Sequence, residues 1–171
     1  MKLWTSVVAF GLVTACGTSQ QATTSTASFS AADSAAIAAG LDRLVAAGRA
    51  GNWDAWGAEY TGDPVRYPPN SPPLVGKAAA DAFNHASPKF STFDAKLTSV
   101  VGNGDLAVAT GTFSTSGAAG RDSRGQATPA FRDEGSFMQI LRKQSDGSWK
   151  TSRDIWNSSL PASGSAMAAT K

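Results

Sequence analysis

A chain of 171 residues with a formal net charge of +2 and scattered lysines and arginines has one-domain length and is too evenly charged to point to nucleic acid. A single cysteine excludes an intramolecular disulfide. A single histidine excludes multi-histidine zinc sites and the usual zinc-hydrolase motifs, so neither a metal nor another cofactor is expected.

Lys2 precedes an apolar stretch over residues 3–13, interrupted only by Thr5 and Ser6. That is far shorter than the roughly 20 residues a spanning helix needs, so it reads as the apolar region of a signal peptide. Val13-Thr14-Ala15-Cys16 follows and resembles the bacterial lipobox. The resemblance implies cleavage before Cys16 and lipidation of that cysteine, with more than one acyl chain, because a single chain anchors only marginally. The expected organisation is a lipoprotein signal peptide over residues 1–15, a flexible Ser/Thr-rich tether over 16–29, one domain over 30–158 and a disordered tail over 159–171. Membrane contact is then through lipid, at the cell envelope. Gly17 stands where enteric lipoproteins kept at the inner membrane carry aspartate, which in a diderm host points to the periplasmic side of the outer membrane.

The domain opens with a helix. Ser30 and Asp33 form a capping-box pattern, and Ile37, Leu41, Leu44, Val45 and Gly48 share one face up to Ala50. Gly51 ends this helix, and Asn52 caps a short second one over residues 53–60. Gly62-Asp63-Pro64 breaks the chain, residues 65–67 are extended, and a proline-rich turn over residues 68–73 follows. A third helix covers residues 77–85 and presents Ala79, Ala82 and Phe83. From Phe93 onward the period changes to two, giving strands over 93–101, 106–114, 135–143 and 148–156. Gly102-Asn103-Gly104-Asp105 and Asp146-Gly147 are tight turns, whereas residues 116–134 read as a long mobile hairpin loop. Helices first and an antiparallel meander second define an α+β domain with helices on one sheet face.

Asn52-Trp53-Asp54-Ala55-Trp56, Tyr60, Asp63 and the proline-rich turn leading to Gly76 resemble the first half of SnoaL-like domains. Gly104-Asp105-Leu106-Ala107, Gly135-Ser136-Phe137, Asp146-Gly147-Ser148-Trp149-Lys150 and Arg153-Asp154-Ile155-Trp156-Asn157-Ser158 resemble the second half in the same order. These domains belong to the nuclear transport factor 2-like superfamily, which includes ketosteroid isomerases. The resemblance implies a cone-shaped curved antiparallel sheet wrapped around the long N-terminal helix, with two shorter helices, a pocket at the open end, and often a homodimer through the outer sheet face. It does not imply one activity, since this fold hosts isomerases, cyclases, dehydratases and binding domains.

Several residues are candidates for the site. Trp53, Trp56 and Tyr60 at helical spacing are either core filling or, for Trp56 and Tyr60, pocket wall. Asp63 fits turn chemistry and, as a weaker alternative, an acid. Arg66 and Tyr67 point to opposite faces, and an aromatic hydroxyl suits a largely apolar pocket, which favours Tyr67. Asp154 and Trp156 share a strand face. A carboxylate between strand aromatics is the best candidate acid, unless it pairs at a surface with Arg153, Arg132 or Arg142. His85 reads as a surface residue near a helix C-terminus. The ligand-binding set is therefore Trp56, Tyr60, Tyr67, Asp154 and Trp156, with Asp154 and Asp63 as weak catalytic candidates. Three functions compete: binding of a small apolar ligand in an accessory domain, acid/base catalysis through a buried carboxylate, and a dimeric interaction scaffold.

Overall fold

In the computed structural model, residues 28–87, 89–121 and 125–161 are described. Cys16, the signal peptide, nearly all of the tether and most of the expected tail lie outside them.

Helix α1 (Ala31–Ala50) starts at the predicted cap. The Ser30 hydroxyl oxygen accepts from the Asp33 backbone N–H at 3.2 Å, and the Asp33 carboxylate accepts from the Ser30 backbone N–H at 2.9 Å. Two of the four orphan donors at this helix start are thereby satisfied. Asp33 does more than cap. Its carboxylate also meets the Lys143 ammonium at 2.7 Å and accepts the Trp149 indole N–H at 3.0 Å, which pins the helix start to the sheet. The helix stops at Gly51, whose φ of +64° is the left-handed conformation glycine adopts without steric cost.

Helix α2 (Trp53–Gly57) is capped by Asn52 Oδ1, which accepts from the Ala55 N–H at 3.0 Å. It ends earlier than its spacing predicts, because the chain turns into strand β1 (Tyr60–Tyr67). The Thr151 backbone N–H donates to the Glu59 carbonyl at 3.0 Å, so the sheet captures the backbone there. Strand β2 (Leu74–Val75) and helix α3 (Lys77–Ala86) follow. The inner face of α3 carries Ala80, Phe83 and Asn84, whereas Ala82 is exposed.

Four long strands complete the chain: β3 (Thr92–Asn103), β4 (Leu106–Gly117), β7 (Phe131–Lys143) and β8 (Trp149–Ser158). They form the expected antiparallel meander, with β4 running two residues and β7 four residues into the segment read as loop. Between them a small hairpin of β5 (Gly120–Arg121) and β6 (Ala127–Thr128) lies outside the main sheet. The sheet order is β2-β1-β8-β7-β4-β3, with β1 parallel to β8 and every other neighbouring pair antiparallel. Register shifts between Leu97 and Ser99, and between Ile140 and Leu141, bend the strands so that the sheet curves around α1.

Two apolar clusters divide the interior. Ile37, Ala107, Ala109, Leu141 and Trp149 fill the narrow end. Leu41, Leu44, Ala47, Trp53, Trp56, Tyr60 and Phe93 surround the wide end, which is hollow.

Candidate functional site

The hollow end is a cavity of about 420 Å³ between the helices and the concave sheet face. Strand alternation builds its far wall. Phe131, Asp133, Phe137 and Gln139 on β7, with Phe113 and Thr115 on β4, all line it at period two. The phenylalanines are seated by glycines directly across the strand pair: Gly111 opposite Phe137, Gly117 opposite Phe131, Gly135 opposite Phe113. A Cβ on Gly111 or Gly117 would run into the ring opposite, and one on Gly135 would strike the Asn157 carbonyl oxygen. The near wall is aromatic as well. Trp53 and Phe90 pack edge to face with centroids 5.3 Å apart, and Phe90 and Phe93 are tilted at 5.2 Å.

A buried polar cluster lies on the β1–β8 side. Parallel pairing sets Arg66 opposite Asp154, and Arg66 Nε donates to Asp154 Oδ2 at 3.2 Å. Tyr60 Oη donates to the same oxygen at 2.9 Å, and Arg66 Nη1 donates to Asn84 Oδ1 at 2.6 Å. The guanidinium lies 4.9 Å from the Tyr60 ring centroid, 5.0 Å from that of Trp156 and 5.7 Å from that of Phe83. Arg66 is 3% exposed and Asp154 5%. An ion pair this dry persists because each charge has its counter-ion and the rings favour the cation. Burial, reinforced by the Asp154 carboxylate, pushes the Tyr60 phenol far above its ordinary range, so it remains a proton donor. The side-chain N–H₂ of Asn84 is buried and has no hydrogen-bond partner among the described residues, which leaves a donor at the cavity wall.

Four of the five expected lining residues do converge here: Trp56, Tyr60, Asp154 and Trp156. Tyr67 does not. It is 41% exposed on the outer sheet face, and Arg66 takes the inward position. The β1–β8 register is the cause, since Tyr67 pairs with exposed Ile155 while Arg66 pairs with buried Asp154. Asp63 is also outside the cavity. It is an exposed strand residue whose backbone carbonyl accepts from Arg153 at 3.4 Å. None of the three arginines weighed as surface partners pairs with Asp154; its partner is Arg66. His85 is half-exposed, with Nε2 at 3.1 Å from Asp54 Oδ1. Arg66, Asn84 and the phenylalanine wall were missing from the expected set, although the period-two phenylalanines of β7 were a readable signal for the wall.

A curved mixed sheet around a long helix, hollow and aromatic at one end, defines the nuclear transport factor 2-like, cystatin-like fold. Within it, residues 41–151 match the family model of the SnoaL-like domain, and the chain belongs to that family. The fold is similar to that of a ketosteroid isomerase-like protein from Erwinia carotovora atroseptica. That match has 24% identity over 74% of this chain and 96% of the other, with a TM-score of 0.59. A nuclear transport factor 2-like protein with a cystatin-like fold from Novosphingobium aromaticivorans matches at 18% identity, over 79% and 85% of the two chains, with a TM-score of 0.59. A candidate dehydratase of the same superfamily from Streptomyces avermitilis matches at 16% identity, over 76% and 99%, with a TM-score of 0.56. At these identities the likeness is one of fold. No curated protein matches the sequence significantly.

Proposed function

We propose that the domain binds a small, largely apolar ligand inside the cone, on a protein tethered to the cell envelope by lipid on Cys16. The aromatic cavity of about 420 Å³ carries this reading. Its size and lining suit a compact apolar molecule, whereas an interaction scaffold needs no hollow interior. The Arg66–Asp154 pair is internally neutral, so a neutral ligand meets polar groups there without meeting net charge.

Three of the chain's five tryptophans, Trp53, Trp56 and Trp156, line the cavity, so occupancy is readable by fluorescence. A naphthalene-type ligand should quench it saturably. Ala95→Trp fills the cavity from its β3 wall and should weaken that binding by roughly tenfold or more. Unchanged quenching in a variant that melts like wild type would count against the reading.

One observation favours acid/base catalysis as a second reading. Both hydrogen bonds to Asp154 fall on Oδ2, and among the described residues none reaches Oδ1, leaving that oxygen to take a proton. Asp154→Asn, assayed below its own melting temperature with its fold checked by circular dichroism, separates the two readings: catalysis would fall by orders of magnitude, while binding would change by only the ~0.5–3 kcal/mol of a hydrogen bond.

A further inference from the structure

The cone adjoins a second cavity, also about 420 Å³, whose lining includes Asn52, Asp54, His85, Lys89 and Arg121. Trp53 and Ser87 line both, so the apolar interior and this polar cleft are neighbours on either side of those two side chains. The cleft carries spare positive charge. Lys89 lays its methylenes along Gly51, where a Cβ would sit 3.3 Å from Lys89 Cγ, and among the described residues its ammonium has no ion pair. Among the described residues, Arg121 engages only an uncharged partner, donating from Nη1 to the Gly125 carbonyl at 2.6 Å. The one acid among the described lining residues, Asp54, faces His85. Inside the cone the situation is reversed, because the only cation among the described lining residues, Arg66, is already neutralised by Asp154. A ligand's negative charge therefore finds no free counter-ion in the cone, whereas at the cleft two cations outnumber the one carboxylate, Asp54.

We propose that the ligand is an anionic amphiphile, with its apolar body in the cone and a carboxylate or similar head in the cleft facing Lys89 and Arg121. This rests on the cone being a ligand pocket and adds the class of molecule. Apolar burial supplies most of the affinity, and the cleft cations supply selectivity, orientation and salt dependence.

Decanoate and decan-1-ol share a body and differ in the head, so their titration against the purified full-length protein by tryptophan fluorescence isolates the cleft. Two exposed cations should favour decanoate by roughly 3- to 30-fold at low ionic strength, with the preference shrinking as salt is added. Lys89→Gln combined with Arg121→Gln should raise the decanoate Kd to that of the alcohol and leave the alcohol unchanged. Equal wild-type affinities, or a preference that survives in the double variant, would overturn the anionic head and leave the pocket standing. Binding of neither ligand would overturn the pocket as well.

Discussion

Asp154→Asn leaves the Arg66 guanidinium buried among Tyr60, Phe83 and Trp156 with no anion, and an uncompensated buried charge is costly. A loss of about 3–5 kcal/mol in denaturant unfolding is expected. Tyr60→Phe removes one hydrogen bond to a carboxylate that keeps its arginine, so about 1.5–3 kcal/mol is expected. Arg66→Met with Asp154→Leu removes both charges together but leaves the Tyr60 hydroxyl and the Asn84 side chain without those partners, so the double variant should be less stable than wild type yet more stable than Asp154→Asn. A double variant less stable than Asp154→Asn would contradict this account. Titration extends it to pH. Donors led by Lys143, then Ser30 and Trp149, hold the Asp33 carboxyl well below its ordinary 3.8, so the unfolded chain takes up the proton first. Stability should therefore fall as pH drops below about 3.8, and less steeply in Asp33→Asn. The raised Tyr60 phenol has the opposite sign: the unfolded chain loses that proton first, so stability should fall as pH climbs above the ordinary 10.0. Equilibrium unfolding across pH, with Tyr60→Phe as control, checks both limbs.

The β4–β7 pair shows how a wall is built from alternation plus three glycines. Gly135→Ala places a Cβ against the Asn157 backbone carbonyl, which cannot rotate away as a side chain would. Such overpacking should cost about 1–3 kcal/mol, seen as a lower melting temperature, although alanine is otherwise the better strand residue. A melt equal to wild type would mean that the strands do not approach so closely. Much of this architecture was legible in the sequence. The capping box, the α1 face and the four meander strands all follow from local period and cap chemistry. What was not legible depended on distant partners. The Gly- and Arg-rich stretch after Ser116 looks like loop by composition, yet it is strand at both ends because Gly117 lies under Phe131. The choice between Arg66 and Tyr67 was likewise open locally, since alternation fixes that the two diverge but not which turns inward. Parallel pairing with β8, nearly a hundred residues away in sequence, decides it.

For the whole molecule, the cone and the N-terminus make independent claims that one variant can separate. The lipobox-like Val13-Thr14-Ala15-Cys16 supplies the only thiol in the chain, so Cys16→Ser removes the single atom on which a thioether-linked lipid could be built. No described helix is long and apolar enough to cross a membrane, and the folded domain begins at α1, well after Cys16. Cys16→Ser should therefore abolish membrane fractionation, or leave an unprocessed precursor, without changing the domain's melting temperature or its ligand titration. Two acyl chains give stable anchoring and none gives no lipid attachment, so the difference should be nearly all-or-none after carbonate washing. Equal membrane association of variant and wild type would refute the lipid anchor. If the wild type is anchored in a diderm host, density-gradient fractionation should place it with the outer membrane, because Gly17 lacks the charge of an inner-membrane retention aspartate.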